Sequence, residues 1–395
     1  MSKLLLKGIK VYEEASTIER GYVRINDGKI VEVGKLEELL EGQEEEVLDF
    51  SMDSTLSLLP GFIDGHIHGA DGFDTMDATE EALGRLASIL PKEGTTSFLA
   101  TTITHSKEAI SAALHNVKKY QEDLRVGVAE LLGVHLEGPF ISPHRAGAQP
   151  VRCIVPPSVP QLHEWYVESG QSIKVVTVAP EEENGFEFVK RARELGITVS
   201  IGHSDARYQD MVLAYECGAN QVTHLYNQMR GMHHREPGIV GAALSMDDFI
   251  VELIPDGVHV HPQVMKTTFK AKGPQQITLI TDSMRAKWLA DGRYELGGQE
   301  VTVKGNRATL RDGTLAGSVL KMNEGVHNMM TFTGCSVREL ILMASQNPAR
   351  QLGVFDRKGS IRVDKDADLV VVNDSMDVLL TCCRGKSSTE KRDGK

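Results

Sequence analysis

Eight short apolar runs separated by helix-like segments constrain the fold of this sequence more than any other feature. They read "LPGFIDGHIH", "GTTSFLATTIT", "ELLGVHLEG", "IKVVTVAP", "ITVSIGHS", "NQVTHLYN", "FIVELIPDGVHV" and "ITLITDSM". Between them lie stretches such as "ATEEALGRLASILPKEG" and "NGFEFVKRARELG", each closed by a glycine that can take the left-handed C-cap conformation. Eight strand–helix units predict a parallel (β/α)8 TIM barrel of the α/β class over residues 58–354. A doubly wound open sheet is the alternative, but no G-x-G-x-x-G follows the first strand to favour it.

The flanks read as β. "GYVRINDGKIVEVG" is two alternating runs joined by Asn26-Asp27-Gly28, which is hairpin chemistry, and "KGSIRVDKDADLVVVN" reads as strands and turns near the other end. Residues 1–57 and 355–386 are therefore expected to build one small β-sandwich domain from both termini. "GRYELGGQEVTVKGNRATLRDG" predicts a β-hairpin insertion near 291–314, over the barrel mouth or joined to the small domain. "SVRELILMASQNP" predicts a helix with a Ser336–Glu339 capping box that ends at Pro348, and the charged tail, 387–395, is expected to be disordered.

Composition excludes several classes of function. The net charge is −12 and no basic block appears, which argues against a nucleic-acid partner. An anionic small substrate would need a local cation. Five cysteines without a C-x-x-C pair read as the reduced thiols of a cytoplasmic protein. The apolar run in "MSKLLLKGIKVYEE" is too short for a secretory signal, and no stretch approaches membrane-spanning length, so no membrane association is expected.

Polar residues gather at the ends of the expected strands. His66 and His68, one residue apart, end the first; alternate residues of a strand share a face, so the two imidazoles lie side by side. Glu137 ends the third strand, His203 the fifth, His224 the sixth, and Asp282 the eighth, while His259 follows the seventh. Barrel active sites are built at the C-terminal strand ends, so these side chains converge on one cup. Imidazole and carboxylate suit Zn²⁺ or Fe²⁺ with positions left open for water. A metal brings the pKa of bound water to roughly 7, and a free carboxylate, here Asp282, can move its proton. Each residue alone has an ordinary reading as turn, cap or buried histidine; together, burying them unpaired would be costly.

The ordered set "PGFIDGHIHG", "HLEGPF", "GHSDA", "THLYNQM", "REPG", "DGVHV", "TDSM" and "LAGS" resembles the N-acetylglucosamine-6-phosphate deacetylases of the amidohydrolase superfamily, along nearly the whole chain. The resemblance implies that Glu137, His203 and His224 are the principal metal ligands, that His66 and His68 mark a second-metal position which some members lack, and that Asp282 is the catalytic acid/base. It further implies one or two divalent ions per subunit. Asn227 and Gln228 match substrate contacts, Ala148 a backbone contact, and Asp256, Gly257, Val258 and His259 a sugar-binding loop. Leu315, Ala316 and Gly317 match a loop closing over the substrate. Arg235 matches a residue that grips the phosphate from a neighbouring subunit, so a homodimer or higher homo-oligomer is implied. Gln149 stands where some members carry a carbonyl-polarising histidine, and Asp364 where related sequences often have a turn glycine.

The implied reaction is metal-dependent hydrolysis of N-acetylglucosamine 6-phosphate to glucosamine 6-phosphate and acetate. Arg235 would supply the local cation that an acidic protein needs for a phosphorylated amino sugar. A sister amidohydrolase acting on another N-acyl sugar phosphate, on a cyclic amide or as a deaminase is the rival among enzymes. A metal-free barrel kept for assembly or regulation is the rival outside them.

Overall fold

The eight apolar runs form strands Phe62–Ile67, Thr95–Thr101, Glu130–Glu137, Ile173–Val178, Thr198–Ile201, Gln221–Val222, Ile250–Leu253 and Ile277–Leu279. In this computed structural model, which describes residues 3–40, 44–123 and 125–387, each strand pairs in parallel with the next in chain order. The first and eighth meet at the C-terminal end of the first and just past that of the eighth. Ile67 and Ser283 form a parallel bridge, the Asp282 N–H donates to the His66 carbonyl at 2.8 Å, and the His68 N–H donates to the Ser283 carbonyl at 2.9 Å. The seam that closes the barrel is thus made by residues already singled out for chemistry. One layer below, the Asp64 carboxylate accepts from the Thr281 hydroxyl at 2.5 Å and ties the same two strands.

Strand interiors and helix faces share one core, in which Phe62, Phe98, Val176, Val199, Val251 and Leu279 are buried. Capping residues set the helix limits. Thr79 accepts from the Ala82 N–H to begin Glu80–Ile89, and Gly94 takes φ +79° where a short 3-10 turn releases the chain into the second strand. Behind this turn Glu93 meets Lys287 at 2.8 Å, both fully buried, and the Trp288 indole N–H donates to the second Glu93 oxygen at 3.2 Å. Removing one partner of such a pair strands a charge in the core. Lys287→Met is expected to destabilise the fold by about 3–5 kcal/mol, read from urea denaturation; an unchanged midpoint would refute it.

The helix expected to end at Pro348 does not end there. Its Ser336–Glu339 capping box is present, but Val337–Ile341 runs into a π-helical stretch, Leu342–Gln346, and then into Asn347–Gln351. Proline lacks an N–H and clashes with the carbonyl four residues back; the wider π turn moves that carbonyl away, so the helix absorbs Pro348.

Both termini build one mixed eight-stranded sheet with its own core around Leu6, Val23, Ile25, Leu58, Leu369 and Val371. Lys3–Tyr12 organises it. Thr17–Asn26 runs antiparallel along one side, while Glu46–Asp49 and then Ser57–Pro60 run parallel along the other. The Asp27-Gly28 turn has φ +48° and +80°, as a two-residue hairpin requires, and Asp364 takes φ +74°, a backbone that aspartate tolerates better than most residues. Glu130, at the start of the third barrel strand, joins barrel to sheet through Arg357, Lys358 and Arg384 at 2.6–2.8 Å. Residues 1–2 and 41–43 of the N-terminal β segment and 388–395 of the charged tail lie outside the described residues, while Ser387 belongs to the short strand Lys386–Ser387.

The insertion is a three-stranded antiparallel sheet of Gly292–Leu296, Gln299–Lys304 and Arg307–Thr309. Leu296, Val301 and Ala308 pack with Ile103, Met284 and Ala316, which places it over the barrel mouth and not with the small domain.

Candidate active site

Backbone strain marks the strand ends. His203, His224, Gln228 and Asp282 have φ of +46°, +29°, +49° and +47°. Left-handed backbone costs an ordinary L-residue about 1–2 kcal/mol, and such positions gather where a side chain must be aimed. Here the aim is inward. The His224 Nε2 lies 3.1 Å and the His203 Nε2 3.3 Å from Glu137 Oε1, with 3.1 Å between the two nitrogens. His66 Nε2 is 3.5 Å from the same oxygen and 3.5 Å from Asp282 Oδ1. His68 Nε2 is 3.3 Å from Asp282 Oδ1 and 3.4 Å from Glu137 Oε2.

These spacings fit a cation. An ion held tetrahedrally at about 2.0–2.2 Å sets its ligand atoms about 3.4 Å apart. Glu137, His203 and His224 form one group able to hold an ion, and His66, His68 and Asp282 form a second beside it. The imidazole lone pairs are also aimed. His203 Nδ1 donates to the Arg145 carbonyl at 2.8 Å and His66 Nδ1 to Glu252 at 3.0 Å, which turns both Nε2 atoms toward the cup; His66 Nε2 is buried with no hydrogen-bond partner among the described residues. A third grouping, His66 with His135 and Glu252, has the proximity but not the chemistry. Both His135 nitrogens are engaged, with the Gly65 carbonyl at 3.2 Å and the Thr177 hydroxyl at 2.7 Å.

Electrostatics agree. Burial alone would lower His66, yet Asp282, Glu137 and Glu252 carry it up to about 9. Burial alone would raise Glu137 and Asp282, yet His66 and the other imidazoles hold Glu137 well below the carboxylate range and Asp282 at about 2. The cup attracts positive charge, and two ionised carboxylates are ready to face it.

Around this cluster lies a cavity of about 250 Å³. Of the residues expected at the substrate, Ala148, Asn227, Gln228, His259, Leu315 and Gly317 line it. Asp256, Gly257 and Val258 do not line it; they form the turn that aims His259. The Asp256 carboxylate accepts from the Val258 and His259 N–H groups at 2.8 Å and from His259 Nδ1 at 2.6 Å. Ala316 is buried behind the wall, its N–H on the Ala308 carbonyl. Arg235 is outside, on an exposed tip, with its guanidinium donating to His234 Nε2 at 2.8 Å.

Two residues matter more than their sequence suggested. Gln149 does not point its amide at open space: Oε1 accepts from the Thr104 N–H at 2.8 Å and Nε2 donates to Glu137 Oε2 at 2.7 Å. Glu252 is not among the residues expected at the site, although a carboxylate inside the apolar run "FIVELIP" is itself a signal, because a charge is rarely buried without partners.

The amidohydrolase family profile matches residues 57–387. An N-acetylglucosamine-6-phosphate deacetylase of Bacillus subtilis (strain 168) is 52% identical over 384 residues, covering 97% of this chain and 96% of that one. An N-acetylgalactosamine-6-phosphate deacetylase of Escherichia coli O157:H7 is 35% identical over 374 residues, covering 95% and 96%. Among solved structures, the N-acetylglucosamine-6-phosphate deacetylase of Thermotoga maritima matches at 36% identity with a TM-score of 0.87, over 98% of this chain and 99% of that one. An aspartate-to-alanine mutant of the Mycobacterium smegmatis deacetylase, in complex with N-acetyl-D-glucosamine-6-phosphate, matches at 27% identity with a TM-score of 0.91, over 99% and 100%.

Proposed function

The chain belongs to the amidohydrolase family, in its branch of N-acetylglucosamine-6-phosphate deacetylases, and from that premise we infer the reaction and its parts. The protein is a metal-dependent hydrolase that converts N-acetylglucosamine 6-phosphate to glucosamine 6-phosphate and acetate, a step of amino-sugar metabolism. The observation that carries this reading is Glu137 within 3.5 Å of four imidazoles at the floor of a sugar-sized cavity, in a chain 52% identical to a deacetylase of that name.

Glu137, His203 and His224 would hold the principal ion, and His66 and His68 with Asp282 a second; nitrogen and carboxylate donors suit Zn²⁺ or Fe²⁺. When bound, a divalent ion supplies the field that acidifies an attacking water and polarises the acetyl carbonyl. The protein supplies the proton traffic. Asp282, a carboxylate beside His66 and His68, takes a proton from the water as the oxygen attacks, then delivers it to the leaving nitrogen as the C–N bond breaks. His259, kept in place by Asp256, and Asn227 orient the sugar hydroxyls. Gln149 is committed to Glu137, so carbonyl polarisation falls on the cation more than on this side chain.

Arg235 is assigned to the phosphate of a neighbouring subunit's substrate, which makes the working form at least a homodimer. Support comes from its exposure at the tip of 231–235 and from the absence, among the described residues, of any carboxylate paired with it. Arg235→Ala is expected to raise KM about 10–100-fold, the worth of one or two charge-assisted bonds, and to leave unphosphorylated N-acetylglucosamine turnover unchanged. Mixing Arg235→Ala with Asp282→Asn subunits would restore activity only if the arginine acts across the interface.

The cytoplasm is the proposed location. Support comes from five free thiols, the reduced state that such a compartment maintains. The test of the whole reading is acetate release from a panel of N-acetylated hexosamines, with and without the 6-phosphate, with metal measured on the same sample. The galactosamine epimer belongs on the panel because of the 35% identical relative. Turnover indifferent to the phosphate would overturn it.

A further inference from the structure

We propose that Glu252, which touches neither substrate nor ion, is the positioning residue that makes the metal centre, because a one-way chain of hydrogen bonds leaves it able only to accept. The chain starts near the surface. Gln351 Nε2 donates to Gln221 Oε1 at 3.0 Å, which fixes the Gln221 amide so that its own Nε2 donates to Glu252 Oε1 at 2.7 Å. The other oxygen, Oε2, faces two further donors: His66 Nδ1 at 3.0 Å and the His224 backbone N–H at 3.3 Å. Glu252, Gln221 and His66 are all buried, so water cannot replace a missing partner.

Three donors meet one carboxylate, and their geometry is informative. Accepting from His66 Nδ1 keeps one proton on that nitrogen and turns Nε2, the buried atom left without a partner, into the cup, where an ion would take the place of a second proton. Accepting from the His224 N–H helps hold that residue in its left-handed backbone, with its Nε2 toward Glu137. One side chain therefore sets a ligand in each of the two groups. Glutamine would keep the shape but could not serve. Its NH₂ must face either Gln221 Nε2 or the pair formed by His66 Nδ1 and His224 N–H, and either choice puts donor against donor, relieved only if the Gln221 and Gln351 amides both reverse.

This inference rests on the metal-centre reading but is tested without turnover, with zinc alone as the probe and the full-length chain. Glu252→Gln is expected to weaken zinc binding, followed by competition with a chromophoric chelator, about 10–100-fold. The double variant Glu252→Gln/Gln221→Glu reverses the direction of one hydrogen bond. The new amide can then donate to the carboxylate introduced at position 221 and offer its oxygen to His66 and His224, so most of the lost affinity should return. Wild-type affinity in Glu252→Gln, or a double variant that binds no better than the single, would overturn the proposal. Should Glu252→Gln fail to fold, Gln351→Glu carries the test from the solvent end. Its carboxylate would turn the Gln221 amide around and point an oxygen at Glu252, so zinc affinity should fall although no ligand is changed; unchanged affinity would again refute the idea. A wild-type chain that binds zinc but releases no acetate would sink the functional reading and leave this one standing.

Discussion

Replacing Asp282 with asparagine is expected to lower kcat by about 10²–10⁴-fold, with KM and the ion of Glu137, His203 and His224 close to those of the unaltered enzyme. The substitution is discriminating because the position makes unusual demands. Asp282 has φ +47°, its N–H closes the barrel on the His66 carbonyl at 2.8 Å, and its own carbonyl accepts from the Ser318 N–H at 2.7 Å. Asparagine tolerates left-handed backbone nearly as well as aspartate, so the seam survives; alanine would add strain and confuse the result. The amide oxygen can still face His66 and His68. What it cannot do is accept a proton from water and return it to the leaving nitrogen. Acetate release and zinc analysis on one preparation decide the matter, and near-normal turnover would remove Asp282 from the role of base.

The barrel was legible because its code is local. Each strand needed only a short apolar run, and glycines such as Gly94 and Gly196 mark helix ends in the left-handed conformation, φ +79° and +77°. The ligand set was legible for a related reason: polar residues at the ends of apolar runs have few bland explanations when several occur together. What stayed hidden depends on partners far along the chain. Glu252 reads as a charge in a strand until Gln221, Gln351 and His66 surround it, and Gln149 reads as a weak substitute for histidine until Thr104 and Glu137 fix both ends of its amide. The insertion could have gone to either domain, since its alternating pattern states only that one face is buried; the apolar surface of Ile103, Met284 and Ala316 decides which. Pro348 misled because a proline stop assumes α-helical spacing, and the preceding turn is π.

Glu137→Gln should be the most damaging single substitution, because this carboxylate alone is common to both halves of the centre. Oε1 faces His224, His203 and His66 at 3.1, 3.3 and 3.5 Å, while Oε2 faces His68 at 3.4 Å and receives the Gln149 amide at 2.7 Å. Glutamine offers one oxygen where two are used. If that oxygen points at the imidazoles, its NH₂ confronts the Gln149 NH₂, whose orientation the Thr104 N–H has fixed; if reversed, the NH₂ occupies the place of the ion. The charge is lost as well, leaving Asp282 to balance any cation among four imidazoles. Zinc affinity should fall by more than about 100-fold, beyond what loss of an outer hydrogen-bond partner costs, and turnover should fall below that of Asp282→Asn. Excess zinc should not restore it, whereas chelated wild-type enzyme should recover when zinc is returned. The two variants therefore separate cleanly: Asp282→Asn keeps the ion of Glu137, His203 and His224 and loses proton transfer, whereas Glu137→Gln loses that ion first. Full zinc occupancy in Glu137→Gln, measured on protein dialysed against metal-free buffer, would mean that the cup does not hold its ion in this way.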